Sequence, residues 1–204
     1  MSREAREAAI YQAAARVFRA KGYHAARIQD VAEELGMHKG SLYYYISSKE
    51  DLLRGLVEGP LQRVVEATRG VLATRHAAAQ KLALIIELHL RHFQEHSDFF
   101  GIFLHEDLDF LNQNAESDIR ALVKEYDALW DALLEEGKKR GEFHADLEVA
   151  VVRKAIIYMC NGVFVWFKPH GAYPLQEIAR LFAEFALNGV LAPEARHKAY
   201  TGEN

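Results

Sequence analysis

Residues 22–53, GYHAARIQDVAEELGMHKGSLYYYISSKEDLL, constrain the fold more than any other stretch of the chain. Ile28, Val31, Ala32 and Leu35 recur at helical spacing, Gly36 interrupts them, and Leu42 with Ile46 opens a second apolar stripe. Two short helices around a glycine turn of about three or four residues make a helix-turn-helix. At about 100° per residue, turning Leu42 and Ile46 inward leaves Gly40 and Tyr44 outermost. Ser41 lies at the edge of that outer face, with Tyr43 and Tyr45 on its flanks. Glycine permits close backbone approach, and tyrosine rings with hydroxyls suit phosphates and base edges. Ser47 and Glu50 have the spacing of a capping box for the following helix, with Lys49 in its first turn. That arrangement suits a phosphate. The same residues also allow a plainer reading, a three-helix surface that binds nothing.

Helical periodicity continues through the rest of the chain. Ala9, Ile10, Ala13, Val17 and Phe18 predict a first helix ending near Gly22. Ile119, Leu122, Val123, Tyr126, Trp130, Leu133 and Leu134 predict another over 116–139, stopping near Gly141. The stretch 148–167 is apolar nearly all round, and 174–191 is amphipathic with Pro174 in its first turn. No stretch alternates with β-branched enrichment, so the expected fold class is all-α. The expected organisation is a three-helix N-terminal domain over 1–48, a larger helical domain over 49–191 and a polar tail over 192–204.

Composition narrows the function classes. Half the residues are apolar, enough for a sizeable core. Residues 1–50 hold eight Lys/Arg against six Asp/Glu, whereas the whole chain carries a net charge of −4. A mildly basic segment in an acidic chain is compatible with a polyanionic partner. The charged start, Met1 to Glu7, is not a secretory signal, and the apolar run 155–167 is shorter than the roughly 20 residues that cross a bilayer. The expectation is a cytoplasmic protein with no membrane partner. The single cysteine, Cys160, excludes an intramolecular disulfide and a cysteine-rich zinc site. No nucleophile motif, His-Glu-x-x-His sequence or phosphate loop is present, so an enzyme is not expected, and no cofactor is implied.

The N-terminal segment resembles the DNA-binding domain of the tetracycline-repressor (TetR) family. The matching residues are Phe18, Gly22-Tyr23, Val31-Ala32, Gly36, Lys39-Gly40-Ser41-Leu42-Tyr43 and Ser48-Lys49-Glu50-Asp51-Leu52. The resemblance implies a homodimeric repressor that covers a double-stranded DNA operator and is released by a small-molecule effector. It assigns the DNA contacts to Arg27, His38, Lys39, Gly40, Ser41, Tyr43, Tyr44, Tyr45 and Lys49. Two positions depart from the family pattern: Ala26 and His38 stand where a threonine cap and a serine are usual. The resemblance also implies dimerisation through the last two long helices, with Val152, Ile156, Val163, Ile178, Phe182 and Phe185 at the interface. Two recognition helices about 34–36 Å apart call for a near-palindromic operator.

His89, His92 and His96 fall within about 60° of arc on one helix face, together with Leu82, Ile85, Ile86 and Phe93. Three readings compete for them. They are core histidines bonded to acids such as those of 105–109, polar lining of a ligand pocket, or a transition-metal site. The pocket reading takes His89, His92, Phe93, Phe103, Tyr126, Trp130, Asn161 and Phe164 as its lining. The metal reading leaves open a metal-sensing regulator or a metal-dependent all-α hydrolase. The segment 161–171, with Trp166, Lys168, Pro169 and Gly171, resembles family members that sense fatty acyl-CoA. An acyl-CoA or another apolar effector is therefore expected.

Overall fold

The computed structural model describes residues 3–96, 118–168 and 170–193. Among them are eight helices and no strand: α1 Arg3–Lys21, α2 Ile28–Glu34, α3 Lys39–Leu42, α4 Lys49–Leu72, α5 Ala78–Glu95, α6 Asp118–Lys139, α7 Val149–Trp166 and α8 Leu175–Val190. The described residues fall into two compact units. One runs to Gln62 and also takes His96 and 118–123; the other takes 63–95 and everything from Lys124 onward.

In the first unit, α1 packs on α2 and α2 on α3. Ile10, Ala13, Ala14, Val17 and Phe18 are buried from α1, Val31 and Ala32 from α2, Leu42 from α3 and Leu52, Leu53 and Val57 from α4. Burial at that spacing is what makes each short helix stable, since isolated helices of this length are marginal in water. Gly36 ends α2 at φ +63°, where an L side chain would be strained. The Met37 N–H then reaches back to the Ala32 carbonyl at 2.8 Å, satisfying an orphan acceptor of the helix end.

Caps differ from the sequence expectation. Ser48, not Ser47, caps α4: its Oγ accepts from the Asp51 N–H at 3.0 Å, and the Asp51 carboxylate accepts from the Ser47 N–H at 3.1 Å. The box is thus shifted by one residue, and Glu50 instead lies 3.4 Å from the Tyr23 hydroxyl. At α2 the N-cap is Arg27, one residue past Ala26, and Asp30 accepts from the Arg27 N–H at 2.7 Å. Hydrogen bonds from Lys21 and from the Arg27 backbone hold the Asp30 carboxyl below its ordinary pKa.

In the second unit, α5 packs against α8 and α7, and α7 against α8. Tyr126, Trp130, Leu133 and Leu134 are buried from α6, Ile156, Cys160 and Val163 from α7, and Ile178, Ala183 and Ala186 from α8. By length and composition, α7 would also pass for a bilayer span, with 18 residues of mean hydropathy 1.5. Lys81 on α5 is buried and its ammonium sits 2.9–3.0 Å from both carboxylate oxygens of Glu136, which Arg140 also meets at 2.8 Å. Buried Lys81 therefore has the paired partner that a desolvated charge requires.

After α6 the chain turns at Gly141, and Phe143 folds back over Gly137. A single bridge pairs Phe143 with Leu191, through His144 N–H to the Val190 carbonyl at 2.9 Å and Ala192 N–H to the Glu142 carbonyl at 3.0 Å. A Cβ on Gly137 would stand 2.0 Å from the Phe143 ring. A Gly137→Ala variant is therefore expected to lose at least about 1 kcal/mol by overpacking, although alanine is the better helix former. A urea titration measures this; an unchanged or raised midpoint would show that the ring moves freely.

Candidate DNA-binding face and sensing core

The recognition segment is short. Helix α3 covers four residues, with Tyr43 as its C-cap, and the chain continues in turns through Tyr45 to Ile46. Leu42 is fully buried and Ile46 nearly so. Gly40 and Ser41 are exposed, Tyr43 is exposed, and Tyr44 is 74 % exposed. Tyr45 is half-buried and meets Tyr44 edge to face at 5.2 Å. Nothing lies within 4 Å of a Cβ built on Gly40, so this surface is open to a close-approaching partner.

Cations flank the rings. Lys39 Nζ stands 5.8 Å from the Tyr43 ring centroid, and the Arg3 guanidinium 5.9 Å from that of Tyr44. Arg3 was not among the residues expected on this face. Its position depends on how α1 lies on the domain, which local spacing does not reveal; the only signal was a basic residue at the chain start. Arg27 is exposed, and His38 occupies the N-cap position of α3, exposed, with no side-chain cap bond. Lys49 is half-buried: its ammonium lies 4.1 Å over the Tyr23 ring and donates to the His24 carbonyl at 3.3 Å. Tyr23 is itself buried and packed edge to face on Phe18. Lys49 is thus held in place from below rather than extended into solvent.

The second unit has a polar cluster closed inside an apolar core. His89 is buried, with Nδ1 2.8 Å from the Tyr126 hydroxyl and Nε2 2.9 Å from Asn161 Oδ1. The consistent assignment is a neutral ring that accepts from the tyrosine O–H and donates to the amide oxygen. Burial pushes the His89 pKa down to about 4, against a smaller opposing effect from Asn161. Burial also raises Tyr126, and it pushes the Cys160 thiol up to about 12, so neither is an anion at neutral pH. Trp130 packs edge to face on Tyr126. Trp130 Nε1 and Thr68 Oγ1 are buried in the same cluster, where both partly offset the effect of burial on Tyr126.

The three histidines therefore separate. Among the described residues, His89 is bonded to a tyrosine and an asparagine. His92 is buried on the next turn and His96 is half-buried just past the end of α5. Phe164 is half-buried. Phe103, the acids of 105–109 and the side chain of Phe93 lie outside the described residues, as does the tail from 194. A separate surface groove of about 500 Å³, between α5 and α8, shares no residue with the expected pocket.

Three of the six expected dimer residues need correction. Ile156, Val163 and Ile178 are buried within their own protomer, and Val152 and Phe182 are half-buried. Only Phe185 of the six is largely exposed, at 72 %. The apolar side chains that α7 and α8 do present outward are Val151, Tyr158, Val165, Trp166, Leu181 and Phe185.

Comparison with known proteins agrees with this architecture. Residues 10–56 match the family described as bacterial regulatory proteins, tetR family, and residues 75–190 match the tetracyclin repressor-like C-terminal domain. A fatty acid metabolism regulator protein of Bacillus subtilis is 26 % identical over 184 residues, covering 89 % of this chain and 93 % of its own. The structure of the ketosteroid transcriptional regulator KstR2 of Mycobacterium tuberculosis aligns with a TM-score of 0.85 at 24 % identity, over 92 % of this chain and 95 % of that one. FadR from Bacillus subtilis in complex with stearoyl-CoA aligns with a TM-score of 0.71 at 25 % identity, over 89 % and 97 %. With an N-terminal match on the helix-turn-helix and a C-terminal match over more than half its length, the chain belongs to the TetR family and is a DNA-binding transcriptional repressor.

Proposed function

We propose that the protein is a homodimer that covers a near-palindromic operator and leaves it when a fatty acyl thioester enters its second unit. One observation carries the DNA half: the recognition segment buries Leu42 and Ile46 while Gly40, Ser41, Tyr43 and Tyr44 stand outward beside cations. In this reading Lys39, Ser41 and the tyrosines meet bases and phosphates, with Gly40 allowing close approach. Arg27, His38 and Lys49 hold the flanking backbone.

A second copy covers the outward apolar residues of α7 and α8. Val165 at 84 % and Phe185 at 72 % exposure are poor candidates for solvent, and a two-fold contact buries both sets at once. The same contact accounts for the exposed apolar surface of α7 without a membrane, and the protein works in the cytoplasm.

The effector reading rests on the relative that holds stearoyl-CoA and on the composition of the core. Apolar helices would receive an acyl chain, and His89, Tyr126, Asn161, Trp130 and Thr68 would supply hydrogen bonds at one end of it. Fluorescence anisotropy of a labelled operator complex, titrated with CoA and with acyl-CoAs of increasing chain length, tests this. Release by long-chain acyl-CoA but not by CoA is expected; indifference to every acyl-CoA would overturn the effector class.

Two variants probe the working parts. Lys49→Ala is expected to weaken binding to all DNA sequences alike and to lower the slope of log affinity against log salt by about 0.9. An effect confined to one base position would contradict a phosphate role. Pro60 lies inside α4, where it can donate no N–H to the Leu56 carbonyl. If that interruption transmits effector binding, Pro60→Ala will blunt release while leaving operator affinity intact; an unchanged response removes the hinge.

A further inference from the structure

His92, Glu95 and His96 fall at i, i+3 and i+4 across the last turn of α5 and the residue after it. This spacing brings three side chains of one segment onto one side. Their ligand atoms all lie within 4.8 Å of one another. His89, one turn earlier, stands apart from the group, with its ring nitrogens against Tyr126 and Asn161. We infer that His92, Glu95 and His96 form a binding site for a divalent transition-metal ion of the zinc, cobalt or nickel class.

The donor set decides the class. Two imidazoles and one carboxylate suit borderline ions such as Zn²⁺, whereas Mg²⁺ and Ca²⁺ favour sites built from oxygens alone. Ligand atoms about 2.0–2.1 Å from a tetrahedral ion stand about 3.3 Å apart, so a pair at the full observed spread of 4.8 Å closes by about 1.5 Å. Side-chain rotation supplies that, because Glu95 is exposed and His96 half-buried while buried His92 is the fixed member. Three protein ligands leave one position for water or for a group carried by a ligand.

The test uses full-length protein freed of metal with a chelator and titrated with Co²⁺, followed by visible absorption, with Zn²⁺ as competitor. The expected result is one Co²⁺ per protomer, displaced by Zn²⁺. His96→Ala and Glu95→Gln alter accessible positions, so their folding is expected to be unaffected, which circular dichroism checks. His96→Ala should weaken Co²⁺ at least about tenfold and Glu95→Gln less. His76→Ala, remote in sequence and exposed, should bind as the wild type does. Absence of Co²⁺ absorption in the wild type, or equal binding by wild type and His96→Ala, would overturn the site.

Discussion

Tyr44→Ala is expected to lower operator affinity about tenfold to a hundredfold while the protein stays folded and dimeric. The ring is 74 % exposed, so its removal costs the fold little. What is lost is a flat, hydroxyl-bearing surface at the tip of the recognition segment, held edge to face by Tyr45 and flanked by Arg3. A contact read on a base edge is worth about 1–3 kcal/mol, which sets the range. Tyr44→Phe separates ring from hydroxyl: it keeps the van der Waals surface and loses any hydrogen bond. Anisotropy with a labelled operator measures both, and sedimentation confirms the dimer. Unchanged affinity for Tyr44→Ala would mean that the outward face of this segment is not the one that meets DNA.

The inward and outward sides of that segment were legible because Leu42 and Ile46 are large and apolar among small and polar neighbours. Helix α7 had no such contrast. A helix apolar all round carries no phase, so spacing could not distinguish Val163, fully buried, from Val165, 84 % exposed. The partners of His89 lie 37 and 72 residues away in sequence, beyond any local pattern. Arg3 reached the Tyr44 ring through the packing of α1, again a tertiary fact. The capping register slipped by one because Ser47 and Ser48 are both competent caps, each followed three residues later by an acid. The helix ends were easier, since Gly22, Gly36 and Gly141 all adopt positive φ where the periodic pattern stops. His92 and His96 were visible as a spaced pair, but Glu95 between them was not singled out.

Acid should destabilise the wild-type protein more than a His89→Gln variant, by about 3 kcal/mol between neutral pH and pH 4. In the unfolded chain His89 titrates near its ordinary value of 6.5, whereas in the native core burial holds it at about 4. Above 6.5 both states are neutral at this position and pH has no effect through it. As pH falls from 6.5 towards 4 the unfolded state takes up a proton that the native state refuses, so stability declines across that window. Below about 4 both states are protonated and the loss stops growing. Glutamine keeps a donor and an acceptor for Asn161 and Tyr126 but does not titrate. The variant starts less stable at pH 7, because its amide cannot reproduce both bonds of the ring. The nine other histidines and the carboxylates are common to both proteins, so their contributions cancel in the difference. Urea midpoints measured from pH 7.5 to 4.5 should therefore converge, or cross, as pH falls. Curves that stay parallel would show that His89 is already solvated or charged in the native protein, and the closed polar cluster in the core of the second unit would then have to be abandoned.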